Sequence, residues 1–268
     1  MSFAPFPSPR DGEALLALAS RSPARVASFA MAQLSAVLFD IDDTLCATTE
    51  FAKLARRNAI EAMVEAGLKA PVDEVMAELE EVIAEFSSNY EHHFDKLLLR
   101  LGPQAYEHRN RALVVAAGIA AYHDTKFRKL GTFPGVQKLF ADMKRARLRL
   151  GVITHGLEVK QAEKLVRLDL VKYLDPEAIF ISDQVGINKP NPKLYAHALR
   201  RMGLAAAQVM YVGDNPSHDV APPKSLGMIA VWADFSTKHP AGSVEPDHRI
   251  HSFDELRTIL RERYAVKV

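Results

Sequence analysis

The sequence predicts an α/β protein in which a parallel sheet, covered by helices on both faces, is interrupted by one all-helical insertion. Three observations lead there. Ala36 to Phe39 is an unbroken apolar run, the mark of a strand buried on both faces, and it gives way at once to Asp40, Asp42 and Asp43. From about residue 131 onward, short apolar strands alternate with amphipathic stretches. Between residues 47 and 130 the apolar residues keep helical spacing, with no strand signal.

In chain order, the first strand ends in the turn Asp40-Ile41-Asp42-Asp43-Thr44. Carboxylates crowded at a strand end repel one another and lose hydration, which a hard, oxygen-ligated divalent cation makes favourable. An Asp-rich turn is the other reading these residues allow. A helix then spans Glu50 to Leu68, with Leu54, Ile60, Met63, Val64 and Leu68 near one stripe and Gly67 at its end. The next, Val72 to Phe86, buries Val75, Met76, Leu79, Val82, Ile83 and Phe86 and turns its glutamates outward. A polar and aromatic break, Ser87 to Asp95, precedes helical Leu97 to Leu101 and a helix from Tyr106 to Phe127.

The turn Thr132-Phe133-Pro134-Gly135 opens a helix to Ala146. Strands follow at Leu148 to Ile153, Ala178 to Ile181, Val209 to Val212, Met228 to Trp232 and His248 to Ile250. Between and after them lie helices at Glu158 to Leu168, Pro192 to Met202 and Phe253 to Arg263. Pro192 suits a first helical position, where no N–H is needed. Pro222-Pro223 predicts a late-starting helix after the strand Val209 to Val212. Parallel sheets bind ligands outside the carboxyl ends of their strands. The polar clusters Thr154-His155-Gly156, Asn188-Lys189-Pro190 and Gly213-Asp214 through Asp219 all fall there.

In 268 residues, 34 basic side chains nearly balance 33 acidic ones, mixed along the chain. No basic stripe suggests a nucleic-acid partner. The longest apolar run, Ala112 to Tyr122, falls short of the roughly 20 residues a membrane-spanning helix needs, so no membrane anchor is expected. A single cysteine, Cys46, cannot form an internal disulfide; it fits a reducing cytoplasm and reads as a buried thiol. Residues 1–33 form an extension in which Asp11 and Glu13 argue against a transit peptide. A short surface helix at Glu13 to Leu18, a loosely held extension and a true start at Met31 stay open.

Asp40-x-Asp42-x-Thr44 behind an apolar strand, then Thr154, Lys189, and Asp214 with Asp219, resemble in order the four motifs of the haloacid dehalogenase-like (HAD) phosphohydrolases. The resemblance runs from about residue 35. It implies a Rossmann-like catalytic core from residues 34–46 and 131–268, a helical cap from 47–130, and Mg²⁺-dependent hydrolysis of a small phosphorylated metabolite. By the same resemblance Asp40 is the nucleophile that forms an aspartyl-phosphate, and Asp42 is the acid/base, a residue the dehalogenases lack. Thr154, the backbone N–H groups of His155 and Gly156, and Lys189 bind the phosphate. Asp40, the Asp42 carbonyl and Asp214 hold the metal, and Asp219 supports them through water or by holding Lys189, a helix N-cap being its other reading.

His155 stands where relatives carry Asn or Asp; a substrate contact, an altered pH response and a bystander role stay open. The insertion, with Glu50 to Ile60 and Ser88-Asn89-Tyr90 before His93-Phe94-Asp95, is similar to the branch of glyceraldehyde-3-phosphate phosphatase-like enzymes. That similarity points to Asn89, Tyr90 and His93 as leaving-group contacts and to triose or sugar phosphates as substrates. A phosphosugar mutase and a non-catalytic binding module on the same fold are the rival expectations. Oligomeric state is left open.

Overall fold

Six strands, β1 (Ala36–Phe39), β2 (Arg149–Thr154), β3 (Ile179–Ile181), β4 (Val209–Gly213), β5 (Ile229–Ala233) and β6 (His248–Ile250), build the sheet of the computed structural model. The structure describes residues 33–235 and 239–268, so the extension helix expected at Glu13 to Leu18 lies outside the described residues, as does Met31. In space the strands run β3-β2-β1-β4-β5-β6, every pair parallel. This is the strand order of doubly wound sheets, with β1 central and the order reversing between β1 and β4.

Side chains alternate across each strand and divide the interior into two layers. Val37, Phe39, Leu150, Val152, Met210 and Val212 pack on one face against α5 (Val136–Arg145), α6 (Glu158–Arg167) and α10 (Phe253–Tyr264). Ala36, Leu38, Ile153, Val209 and Tyr211 pack on the other against α8 (Pro192–Met202). A fully buried Leu, Val or Phe is worth about 1.5–3 kcal/mol, so two such layers fix β1 and β4 and hence the residues at their ends. Short helices α7 (Ser182–Val185) and α9 (Ala221–Ser225) complete the core.

The cap is α1 (Thr48–Glu65), α2 (Val72–Phe86), α3 (His93–Leu101) and α4 (Arg111–Lys129), closed around Ile60, Met63, Val75, Leu79, Leu97, Leu98 and Val114. Two boundaries differ from the sequence expectation. α3 begins at His93, and Pro103–Tyr106 forms a separate 3-10 turn, so α4 starts only at Arg111. There the Asn110 side chain accepts from the Ala112 N–H at 2.9 Å and sets the helix start. The expected late helix after β4 is also corrected: the chain turns helical at once in a π-turn, Pro216–Val220, and the two prolines occupy the opening positions of α9. Those positions need no N–H, which is why the prolines are tolerated.

Candidate active site

At the point where the strand order reverses, β1 and β4 deliver Asp40 and Asp214 side by side. The Asp40 N–H still donates to the Val212 carbonyl at 2.9 Å, so the sheet holds the residue as its side chain leaves it. Carboxylate oxygens of Asp40, Asp214 and Asp219 lie within 4.8 Å of one another, and all three residues are buried. Asp219 arrives on the π-turn, and Gly213 makes room for it: a Cβ there would stand 2.4 Å from the Asp219 side chain. π-turns of this kind recur at functional sites.

Lys189 sits in the middle, 2.9 Å from Asp40 Oδ1 and 2.8 Å from Asp219 Oδ1. Its Nζ also donates to Tyr211 Oη at 2.7 Å, and that hydroxyl donates to the Ile153 carbonyl at 2.7 Å. Burial alone would lower the Lys189 ammonium, but Asp219 and Asp40 outweigh it and hold the group above the usual lysine range. Burial pushes Asp40 up to about 6, against the pull of Lys189 and helped by Asp219 and Asp42. Lys189 bridges Asp40 and Asp219, Asp214 stands beside them with His239 Nε2 3.5 Å from its Oδ2, and every ligand atom of the three carboxylates is oxygen. That set fits a hard dication such as Mg²⁺. Both Asp219 oxygens are engaged, Oδ1 by Lys189 and Oδ2 by the Asn215 N–H at 3.0 Å. The structure thus brings Asp219 into the acidic cluster more closely than the sequence reading placed it.

Asp42 faces a different neighbourhood. Thr48 Oγ1 and Lys164 Nζ donate to its Oδ1 at 2.6 and 2.5 Å, and Gln161 Nε2 donates to Oδ2 at 3.0 Å. Burial opposes ionisation, yet Lys164 and the hydrogen bonds from Lys164, Thr48 and Gln161 hold the carboxyl below the usual range. Asp43 accepts from the Thr49 N–H at 2.8 Å and caps α1. The Cys46 thiol is pushed up to about 12, chiefly by burial.

Thr154 ends β2 fully buried, and its Oγ1 has no hydrogen-bond partner among the described residues. His155 Nδ1 meets Asn188 Oδ1 at 3.0 Å, beside the loop that carries Lys189. One expectation is corrected here: the Gly156 N–H donates to Ser182 Oγ at 3.0 Å, so that amide is not offered to a ligand and Gly156 serves as wall.

A cavity of about 540 Å³ opens between the cap and α6, within the range of metabolite sites. It joins Asp42, His155 and Gly156 from the core to Asn89, Tyr90 and His93 from the cap. Asp40, Thr154, Lys189 and Asp214 lie beneath this surface and do not line it. Tyr90 stacks on Phe86 with centroids 5.0 Å apart, and His93 Nε2 meets the Ser87 carbonyl at 2.8 Å. Sequence reading missed Thr48, Gln161, Lys164 and Tyr211. The i, i+3 spacing of Gln161 and Lys164 places both on one face of α6, a signal that gains meaning only once that face is known to meet Asp42.

The family model for haloacid dehalogenase-like hydrolases matches residues 37–233. The glyceraldehyde 3-phosphate phosphatase of Methanopyrus kandleri is 39% identical over 235 residues, 85% of this chain and 98% of that protein. The protein of the same name from Pyrococcus abyssi is 38% identical over 225 residues, 84% of this chain and 92% of its own. Among solved structures, a HAD phosphatase from Thermococcus onnurineus superposes with a TM-score of 0.62 at 25% identity, covering 85% of this chain and 98% of that one. A match that runs from the first strand to the fifth, with relatives aligned over nearly their whole length, makes the chain a member of the haloacid dehalogenase-like hydrolases.

Proposed function

We propose that the protein is a Mg²⁺-dependent phosphatase of small phosphorylated metabolites, of the size and kind of a triose phosphate. The observation that carries this reading is the convergence of the Asp40, Asp214 and Asp219 carboxylates at the ends of β1 and β4, with Lys189 on Asp40 and Asp219. Asp40 attacks phosphorus and takes the phosphoryl group as an aspartyl-phosphate, while the leaving oxygen takes the proton that Lys164 shares with Asp42. Asp42 then draws a proton from water, whose oxygen displaces Asp40. Lys189 and the unpartnered Thr154 hydroxyl face the phosphoryl oxygens, where negative charge must be offset. Asp40, Asp214 and the Asp42 carbonyl hold the metal, with Asp219 fixing Lys189; the ion supplies further charge neutralisation. His155 and Gly156 form the wall beside the phosphate.

Residues 47–130 act as the lid over residues 34–46 and 131–268, with Asn89, Tyr90 and His93 toward the leaving group. Among the described residues no helix is long and apolar enough to cross a membrane. The lone, buried Cys46 agrees with a cytoplasmic location. The test is turnover of p-nitrophenyl phosphate with and without Mg²⁺. Wild-type protein is expected to release phosphate into water only with the ion, and Asp40→Asn to release none; undiminished turnover by the variant rejects the mechanism. Phosphate kept on a sugar product instead of released would identify a mutase.

A further inference from the structure

The charges that line the cavity between the cap and α6 do not cancel. Each carboxylate there has a lysine: Asp42 pairs with Lys164 at 2.5 Å, Glu163 with Lys126, and Glu91 with Lys160 at 3.7 Å. Arg56 of α1 lines the same wall, is half-buried, and has no hydrogen-bond or ion-pair partner among the described residues. Its neighbour Arg57 points away and is matched by Glu61 at 3.3 Å and Asp73 at 3.0 Å. The contrast is local and physical. A guanidinium partly withdrawn from water without an anion is unfavourable, and a surface helix has ample room to turn it outward, as Arg57 does.

A second cation stands nearby. Lys160 donates to the Asn89 carbonyl at 3.0 Å from the floor of the cavity, and its ion pair with Glu91 is long and exposed on the acid's side. Burial lowers the His93 ring against the hydrogen bond to Ser87, and the charges of Arg56 and Lys160 both add to that lowering. The ring's Nε2 meets the Ser87 carbonyl at 2.8 Å. The lining therefore carries four cations, Arg56, Lys126, Lys160 and Lys164, against three acids, Asp42, Glu91 and Glu163, and Arg56 is the one left without a pair.

We infer that the leaving group carries a carboxylate that Arg56 receives, with Lys160 beside it, so that the preferred substrates are phosphate monoesters of short hydroxy acids. The planar fork of an arginine matches a carboxylate through two parallel hydrogen bonds, a geometry a lysine cannot offer. This inference rests on the phosphatase reading and deepens it: the substrate named for the relatives, glyceraldehyde 3-phosphate, ends in an uncharged aldehyde, whereas an unpaired Arg56 favours an acid at that end. Hydrogen bonds to charged groups imply a preference of about ten- to a hundredfold for the acid over a neutral analogue of the same length.

The test uses three esters on one three-carbon frame: 3-phosphoglycerate, glyceraldehyde 3-phosphate and glycerol 3-phosphate, differing at the terminal carbon. In the full-length protein with Mg²⁺, kcat/KM for the acid is expected to exceed both others at least tenfold. Arg56→Gln should collapse that ratio toward one, mainly through KM for the acid, and Arg56→Lys should restore part of it. Lys160→Gln is the second variant, expected to narrow the ratio less. Hydrolysis of all three esters with the neutral ones equal or preferred would overturn the inference while leaving the phosphatase reading intact, as would a wild-type ratio that Arg56→Gln leaves unchanged. Hydrolysis of none, p-nitrophenyl phosphate included, would overturn both.

Discussion

Asp40 is held against its own chemistry. Its carboxyl, pushed up to about 6 by burial and by the neighbouring acids, lies above the value of about 3.9 expected in the unfolded chain. The native state therefore binds the extra proton. Asp40's contribution to stability is fully present below about 3.9 and is lost as pH rises through about 6. At pH 7, removing the charge should relieve the ion-free protein. Asp40→Asn is expected to raise its melting temperature by about 2–4 °C for each kcal/mol relieved, while Mg²⁺ shifts the variant less than the wild type. A lower melting temperature without the ion would contradict this account, and thermal scans with and without Mg²⁺ decide it. At this scale the sequence was most informative where polarity changes abruptly: Asp40 and Asp214 each follow an apolar strand directly. The partners of Asp42 were hidden, because Gln161 and Lys164 sit on an ordinary amphipathic helix more than a hundred positions away.

Among the elements, β2 is the least forgiving. A Cβ on Gly151 would stand 2.1 Å from the Ala178 carbonyl oxygen, which is backbone and cannot swing aside. Gly151→Ala should cost about 1–3 kcal/mol by forcing β2 and the segment before β3 apart, read as a lower urea midpoint. Helices α5 and α10 are tied differently. Asp142 is buried and accepts from Arg257 and Arg145. The hydrogen bond from Arg257, with the nearby cations, outweighs burial and keeps the acid below its usual range. The stabilisation is present above the unfolded value near 3.9 and disappears as pH falls through the lower native value. Asp142→Asn should then lose about 1–2 kcal/mol at pH 7 and progressively less below pH 4, measured by urea unfolding at both. Strand positions were legible because four or five apolar residues in a row leave few alternatives. The starts of α3 and α4 were not, since they depend on local polar contacts such as the Asn110 cap.

Among the described residues an α/β core carries a helical cap, and side chains link the two across the cavity. Lys126 of α4 pairs with Glu163 of α6, and Lys160 reaches the Asn89 carbonyl at 3.0 Å. Partly exposed pairs are worth about 0.2–1 kcal/mol, so Glu163→Ala should raise KM by no more than about fivefold and leave kcat within about twofold. A large fall in kcat, measured in steady state, would mean that this pair reaches into the chemistry instead of the fit of cap on core. The class of fold could be read from alternation alone. The charge pattern of the cavity could not, because its wall is assembled from α1, α3, α4 and α6, whose side chains meet only in three dimensions.

The neighbouring places of β1 and β4 in the sheet carry a consequence for how the chain is made. Thr44 and Asp214, which meet at 3.5 Å, are 170 positions apart. A nascent polypeptide halted on the ribosome before Val209 has the first acid and nothing to set beside it. Magnesium can therefore reward the finished sheet but has no foothold from which to guide its assembly.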